Sequence, residues 1–326
     1  TMSEPIADNH TVNGSQTNAE ALHIVPSPSA QLSTPTMPSI FSKHDEGIVA
    51  SALNRTPKSA VKGENTALSP APNDEMPLLY TISADLCQGG ILSQSLPGYE
   101  ERPAQIEMAT LVAQSLSENT PAIVEAGTGT GKSLAYLVPI VRSGKVAIIS
   151  TANKALQEQL FYKDIPFVQQ YIKPFEAALV KGVGNYVCLD RLESERVGLQ
   201  YYAKNGEFTR LVNITNDPDA DFMGDFETLD FQLPGDIRSK VCADSDQCAW
   251  SKCGYFTDCY VHKMRVKAER SQVIVVNHTL LLLDAAMDGY LLPERDVIVL
   301  DEAHHLEEEA TRSFTITISA NSITTF

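Results

Sequence analysis

Positive charge is in short supply in this 326-residue chain: 25 Lys and Arg stand against 41 Asp and Glu, a formal net charge of −16. A field of that sign repels polyanions, so any contact with nucleic acid has to come from a local basic groove. Long apolar runs are missing as well. None approaches the roughly 20 residues that a membrane-spanning helix needs, and the first residues lack the n-region and h-region of a secretory signal. Glu4, Asp8 and Glu20 break up what an acid-poor organelle presequence would require. Cysteine is limited to six residues with no secretion signal. That favours a reducing, cytoplasmic setting, and metal binding or inert burial over disulfides.

What is present is a globular composition, 43% apolar and 20% charged, in a chain long enough for one large or two ordinary domains. Residues 1–76 are the exception. Ser, Thr, Pro, Asn and Ala dominate there ("PSPSAQLSTPTMPS"), which predicts a disordered low-complexity tail unable to offset its chain entropy. Beyond Leu78, "PAQIEMATLVAQSL" has a helical pattern. The short apolar runs "PAIVEA", "KVAIIS", "FEAALVKG", "SQVIVVNH" and "DVIVLDEAHH" follow, most of them separated by helix-like segments. Such alternation indicates a parallel sheet covered on both faces, a doubly wound α/β domain. It divides into 77–182 and 266–326 around an insertion at 183–265. Inside the insertion, Asp217–Asp236 holds seven carboxylates and no base, the composition of a solvated segment.

The glycine-rich loop carries the clearest chemistry. Ala126-Gly127-Thr128-Gly129-Thr130-Gly131-Lys132-Ser133 fits G-x-x-x-x-G-K-[ST], with Ala126 in the place of the first glycine. Unhindered N–H groups in such a loop converge on phosphate oxygens, and the helix opening at Lys132 adds its positive dipole end. Lys132 then reaches the β- and γ-phosphates of ATP, and the Ser133 hydroxyl ligates Mg²⁺.

A second acidic motif ends the apolar run "VIVL". It puts Asp301 and Glu302 at the rim where ligands bind open α/β sheets. Asp301 suits the Mg²⁺ shell. Glu302 remains free to orient and activate water, and His304 is placed to sense the γ-phosphate.

Cys248, Cys253 and Cys259 follow a C-x4-C-x5-C spacing, and Cys188 stands at the other root of the insertion. Four thiolates from the two ends would tie the insertion shut. Spacing leaves open structural Zn²⁺, a [4Fe–4S] cluster, or unliganded buried cysteines, with Cys242 a fifth candidate. Next to them, Lys263, Arg265 and Lys267 follow the aromatics Trp250, Tyr255 and Phe256. Bases that track phosphates beside rings that stack on bases suit single-stranded DNA; a solvated helix face is the alternative.

"ERPAQIEMA", "EAGTGTGKS", "ISTANKALQEQL", "KGVGNYVC", the spaced cysteines, "VVNHTLLL" and "LDEAHHLEE" occur in this order between residues 88 and 316. In these motifs the chain resembles the DinG/YoaA branch of the XPD-like iron–sulfur DNA helicases of superfamily 2. The resemblance implies a RecA-like P-loop domain interrupted by an iron–sulfur insertion, with [4Fe–4S] on Cys188, Cys248, Cys253 and Cys259. It implies that Gln105 reads adenine, which an amide can do through paired hydrogen bonds. Thr151, Asn153 and Lys154 match the segment that touches the strand backbone. Asn277 and His278 match a family pair to which chemistry alone assigns no role.

The implied activity is that of an ATP-dependent 5′→3′ DNA helicase of repair or replication. It would act as a monomer on single-stranded or forked DNA, with replication or repair proteins as partners. Enzymes of this class close a second RecA-like lobe, with its arginine finger, over the ATP. No such lobe follows before Phe326, and Thr1 precedes Met2. The chain is therefore expected to be an N-terminal portion, ending near the start of an arch region, that hydrolyses ATP weakly or not at all. A nucleotide- and DNA-binding module without turnover is the alternative.

Overall fold

The computed structural model describes residues 20–26, 78–95, 98–198 and 206–315. Among the described residues, six strands form one sheet: β1 (Glu20–Pro26), β2 (Ala122–Ala126), β3 (Ala147–Thr151), β4 (Ala177–Leu179), β5 (Val273–Asn277) and β6 (Val297–Leu300). Their order across the sheet is β2-β1-β6-β3-β5-β4. β3 pairs in parallel with β5 and β6, and β4 in parallel with β5. β1 alone runs antiparallel, facing Ala126 to Ala122 on one side and Leu300 to Val297 on the other. β2 and β6 therefore point the same way.

The apolar runs of β3, β5 and β6 divide by alternation. Ala147, Ile149, Val273, Val275, Val297 and Val299 face one core, and Ile148, Ile274 and Val276 face the other. A strand buried on both faces shows this continuous run because its successive side chains point opposite ways. Against the first face pack α1 (Leu78–Leu86), α2 (Ile91–Ser95), α3 (Pro103–Glu118), α4 (Lys132–Ser143) and α6 (Ile165–Tyr171), through residues such as Leu86, Leu92, Met108, Leu137 and Val168. Between α4 and α6, α5 (Lys154–Gln159) runs into a single π-helical turn, Leu160–Asp164. A two-pronged pair from Arg142 to Asp85, at 2.8 and 2.7 Å, ties α4 to α1.

The insertion lies between β4 and β5. Its helices α7 (Leu189–Gly198), α8 (Gly206–Asn216) and α9 (Gly235–Val241) lead to α10 (Tyr260–Arg270), which returns the chain to the sheet. Phe208, Leu211, Ile237 and Val241 join Tyr260 and Met264 in the second core, so the insertion is packed onto the sheet. Isolated bridges, Tyr186 with Asp225 and Val187 with Cys242, tie its start to its middle. After β5, α11 (His278–Ala286) leads to β6, and α12 (Leu306–Phe314) follows it.

Three sequence expectations change. Glu20–Pro26, within the expected tail, forms β1: "ALHIVP" carries strand-favouring residues, and the facing edges of β2 and β6 carry backbone groups that need partners. The rest of residues 1–76 lies outside the described residues, apart from this strand. "PAIVEA" is an edge strand with Ile123 73% exposed, because β2 has a neighbour on one side only. The acidic segment is not wholly solvated: Phe222 and Phe226 enter the second core and Asp225 is 6% exposed. Among the described residues no helix is long and apolar enough to cross a membrane.

Candidate functional site

The glycine loop joins edge strand β2 to α4. Gly129 and Gly131 adopt φ of +79° and +85°, a left-handed conformation that glycine takes without steric penalty. At Gly131 a Cβ would lie 2.2 Å from Gln105 Nε2. Gln105 is 3% exposed and donates Nε2 to the Gly131 carbonyl at 2.9 Å. Arg102 Nη1 donates to the Gly129 carbonyl at 3.1 Å, and Thr130 Oγ1 to the Gly127 carbonyl at 2.7 Å. α3 thus grips the loop by its carbonyls. Gly131 caps α4 without a side-chain acceptor, which leaves the opening turn of the helix to an external anion.

The acid pair sits where β6 ends, its position set by the sheet: the Asp301 N–H donates to the Ser150 carbonyl of β3 at 2.8 Å. Lys132 Nζ lies 3.0 Å from Glu302 Oε1, with the two side chains 13% and 8% exposed. Tyr136, one turn along α4, donates its hydroxyl to Asp301 Oδ2 at 3.1 Å. His304 Nδ1 is 3.6 Å from the other Glu302 oxygen. Loop and rim, far apart in sequence, therefore share one pocket. Glu302 holds a left-handed φ of +57°, which costs a non-glycine residue about 1–3 kcal/mol.

Two features bear on a cation here. Asp301 Oδ1 is buried with no hydrogen-bond partner among the described residues. Burial and the adjacent Glu302 push the Asp301 pKa up to about 6, against the Tyr136 hydroxyl and Lys132. Ser133 lies beside Tyr136 and Asp164 at the same end of α4. A buried carboxylate with an open oxygen, near a hydroxyl, fits a hard oxygen-seeking ion such as Mg²⁺.

The sequence reading missed Tyr136, although its i+4 spacing from Lys132 puts both on one helix face. It also missed a buried hydrogen bond between Ser150 Oγ and His278 Nδ1 at 2.6 Å. Burial lowers the His278 pKa, which favours the neutral ring. Asn277 accepts the Leu280 N–H at 2.9 Å and caps α11, so the Asn-His pair has a structural part.

Of the residues matched to strand contact, Thr151 is fully buried in β3. Asn153 caps α5 by accepting the Leu156 N–H at 3.0 Å. Asn153 and Lys154 line a cleft of about 460 Å³ together with Lys181, Glu227, Asn277 and Arg312.

The six cysteines are free thiols, each half-buried. Burial, with Asp190 and then Cys259 adding to it, raises the Cys188 pKa. The Trp250 N–H donates to Cys248 Sγ at 3.4 Å, while the Cys242 thiol donates to the Ser239 carbonyl at 3.5 Å. Soft, unpaired thiols suit a thiolate-bound metal. Their positions are not those of a closed site: among the described residues no group of three or more His, Cys, Asp or Glu converges on an ion position.

Arg265, expected on a DNA-facing surface, instead stacks on Trp250 at 4.4 Å from the ring centre, close enough to Cys248 and Cys259 for their charges to bear on it. Burial lowers its pKa to about 10. Lys263 and Lys267 are exposed on α10, Lys263 at 3.3 Å from Asp258 and Lys267 over the Phe161 ring.

An α/β sheet with a glycine loop, a lysine and an acid pair at one rim is consistent with a RecA-like domain. No protein-family model matches the chain. It is 38% identical over 259 residues to the ATP-dependent DNA helicase YoaA of Escherichia coli (strain K12), covering 74% of this chain and 39% of that relative. It is 35% identical to YoaA of Haemophilus influenzae over 69% of this chain and 36% of the relative. It is 33% identical to the 3′-5′ exonuclease DinG of Bacillus subtilis over 68% of this chain and 24% of the relative. The chain belongs to the DinG/YoaA-like branch, a family of enzymes. It spans just over a third of the length of the two YoaA relatives.

Proposed function

We propose that the chain is the nucleotide-binding and cysteine-bearing portion of an ATP-dependent DNA helicase. It couples ATP hydrolysis to 5′→3′ movement along single-stranded or forked DNA in cytoplasmic repair or replication. The observation that carries this reading is the 3.0 Å contact between Lys132 and Glu302, which brings the glycine loop and the acid pair into one pocket.

The chemistry follows from that pocket. Loop amides from Gly127 to Gly131 and the first turn of α4 receive the phosphates, with Gln105 beside them for adenine. Lys132 exchanges Glu302 for the γ-phosphate, and the released carboxylate orients the attacking water. Ser133 and Asp301 would hold Mg²⁺, which would supply positive charge against the phosphates. His304, beside Glu302, responds when that carboxylate moves. Cys188, Cys248, Cys253 and Cys259 would hold a [4Fe–4S] cluster once their thiols draw together, and it would tie the insertion shut. Asn153, Lys154, Lys263 and Lys267 contact the strand, while Arg265 supports the cysteine loop from beneath Trp250. For a chain that spans just over a third of the YoaA relatives, the second reading is nucleotide and DNA binding without turnover.

Phosphate release by the 326-residue chain, with and without single-stranded DNA, separates the two. DNA-stimulated turnover supports the helicase reading; tight ATP binding with no turnover supports the second. Absence of ATP binding rejects both. Metal content after anaerobic purification tests the cysteines. A brown protein with iron and sulfide is expected, and a colourless one with stoichiometric zinc would overturn the cluster.

A further inference from the structure

The cleft beside α5, which the proposed function assigns to the strand through Asn153 and Lys154, has a charge arrangement that this reading leaves unexplained. Its cations are Lys154, Lys181 and Arg312, and each is engaged by a carboxylate. Arg312 Nη2 lies 2.6 Å from Glu309. Lys181 Nζ lies 2.5 Å from both Asp225 and Glu227. Lys154 Nζ lies 3.4 Å from Glu227 and 3.6 Å from Glu158. A nucleic-acid backbone entering this cleft would find its cations already occupied.

Glu227 stands out among these acids. Its Oε2 touches Lys181 and its Oε1 touches Lys154, so one carboxylate bridges cations on two separate segments. A phosphodiester presents the same kind of anionic oxygen pair. Glu227 also comes from the acidic part of the insertion, not from the sheet. It is held there by Phe226, packed in the second core, and by its own N–H, which Asp225 Oδ1 accepts at 2.9 Å. Its side chain is 25% exposed and Lys154 is 51% exposed, so the contact can open toward solvent. Asn153, Gln157, Asn185 and Asn277 surround it with amide groups that bind phosphate or sugar oxygens.

We infer that Glu227 occupies a phosphodiester subsite, and that one phosphate of a single strand must displace it to reach Lys154 and Lys181. The inference rests on reading this cleft as a nucleic-acid groove. Glu227 then weakens binding and makes it less sensitive to salt. A phosphate that replaces a carboxylate sets its own counterion free, but the displaced carboxylate recruits another, so the net ion release at this position is small.

Fluorescence anisotropy of a labelled oligothymidylate, titrated with the 326-residue chain over a range of salt, tests this. Glu227→Gln should bind roughly 3- to 10-fold more tightly at low salt. The slope of log affinity against log salt should steepen by about 0.7, the contribution of one phosphate on a single strand. Lys154→Gln in the Glu227→Gln background should erase the gain. Asp230→Asn changes net charge equally in the same segment, but Asp230 pairs with Arg210 outside the cleft, so it should not reproduce the effect. An equal gain in Asp230→Asn would reduce the effect to net charge and overturn the inference. Unchanged or weaker binding by a folded Glu227→Gln, while Lys154→Gln weakens the parent chain, would sink the subsite but keep the groove. If none of the variants nor the parent chain binds, the groove reading fails and takes the inference with it.

Discussion

In the proposed nucleotide pocket, side chains from α4 and from the turn after β6 meet at 3.0 and 3.1 Å on backbones anchored in a two-sided core. In the cysteine insertion, Cys248 to Cys259 run through short turns and one 3-10 turn, Trp250–Lys252, and their thiols do not converge. The contrast separates two ways of placing ligating atoms. Apolar burial along strands sets the first, and ladder hydrogen bonds hold it rigid before any ligand arrives. In the second the local chain offers little burial, so the geometry depends on the bonds the thiols make. Metal binding in such segments contributes directly to folding.

The contrast can be broken at either end. Cys253→Ser should have the largest effect, loss of most bound metal and of visible absorption, with faster proteolysis between Gln247 and Cys259. ATP affinity should stay within about twofold, since distant sites act independently; a parallel collapse of ATP binding would show that the two regions are one unit. Lys132→Ala should weaken ATP–Mg²⁺ binding on the order of 100-fold in calorimetry and leave metal content unchanged. It should also lower stability by about 1–3 kcal/mol, because Glu302 stays buried without its cation.

Gly131→Ala sharpens the account of the pocket itself. The left-handed φ and the approach to Gln105 should cost about 2 kcal/mol in chemical denaturation, with weaker nucleotide binding. Wild-type stability would mean that the loop is not gripped by α3. Tyr136→Phe should have the smallest effect, about 1 kcal/mol, from one lost hydrogen bond to Asp301. Its readout is a shifted Mg²⁺ requirement for ATP binding, which a purely packing role would leave alone.

Much of this was visible in the residues. The loop from Ala126 to Ser133, the strand ending at Asp301 and the helices between were legible because motif and periodicity coincide there. β1 was not, because a seven-residue strand inside a Ser/Pro-rich stretch carries almost no period of its own. The stacking of Arg265 on Trp250 was not legible, because a basic residue on a helix looks alike whether it faces solvent or a tryptophan. Glu227 looked like one acid among seven, since nothing in its neighbourhood announces the lysines it meets.

Local order along the chain determined most of the elements, the glycine-loop motif and the candidate ligands, because each depends on neighbours within a few residues. Which groups come to share a pocket was decided only by the tertiary structure. The strand order 2-1-6-3-5-4 and the packing of the insertion bring Lys132 to Glu302 and Lys154 to Glu227. Electrostatic contacts form through space, and separation along the chain carries no record of them.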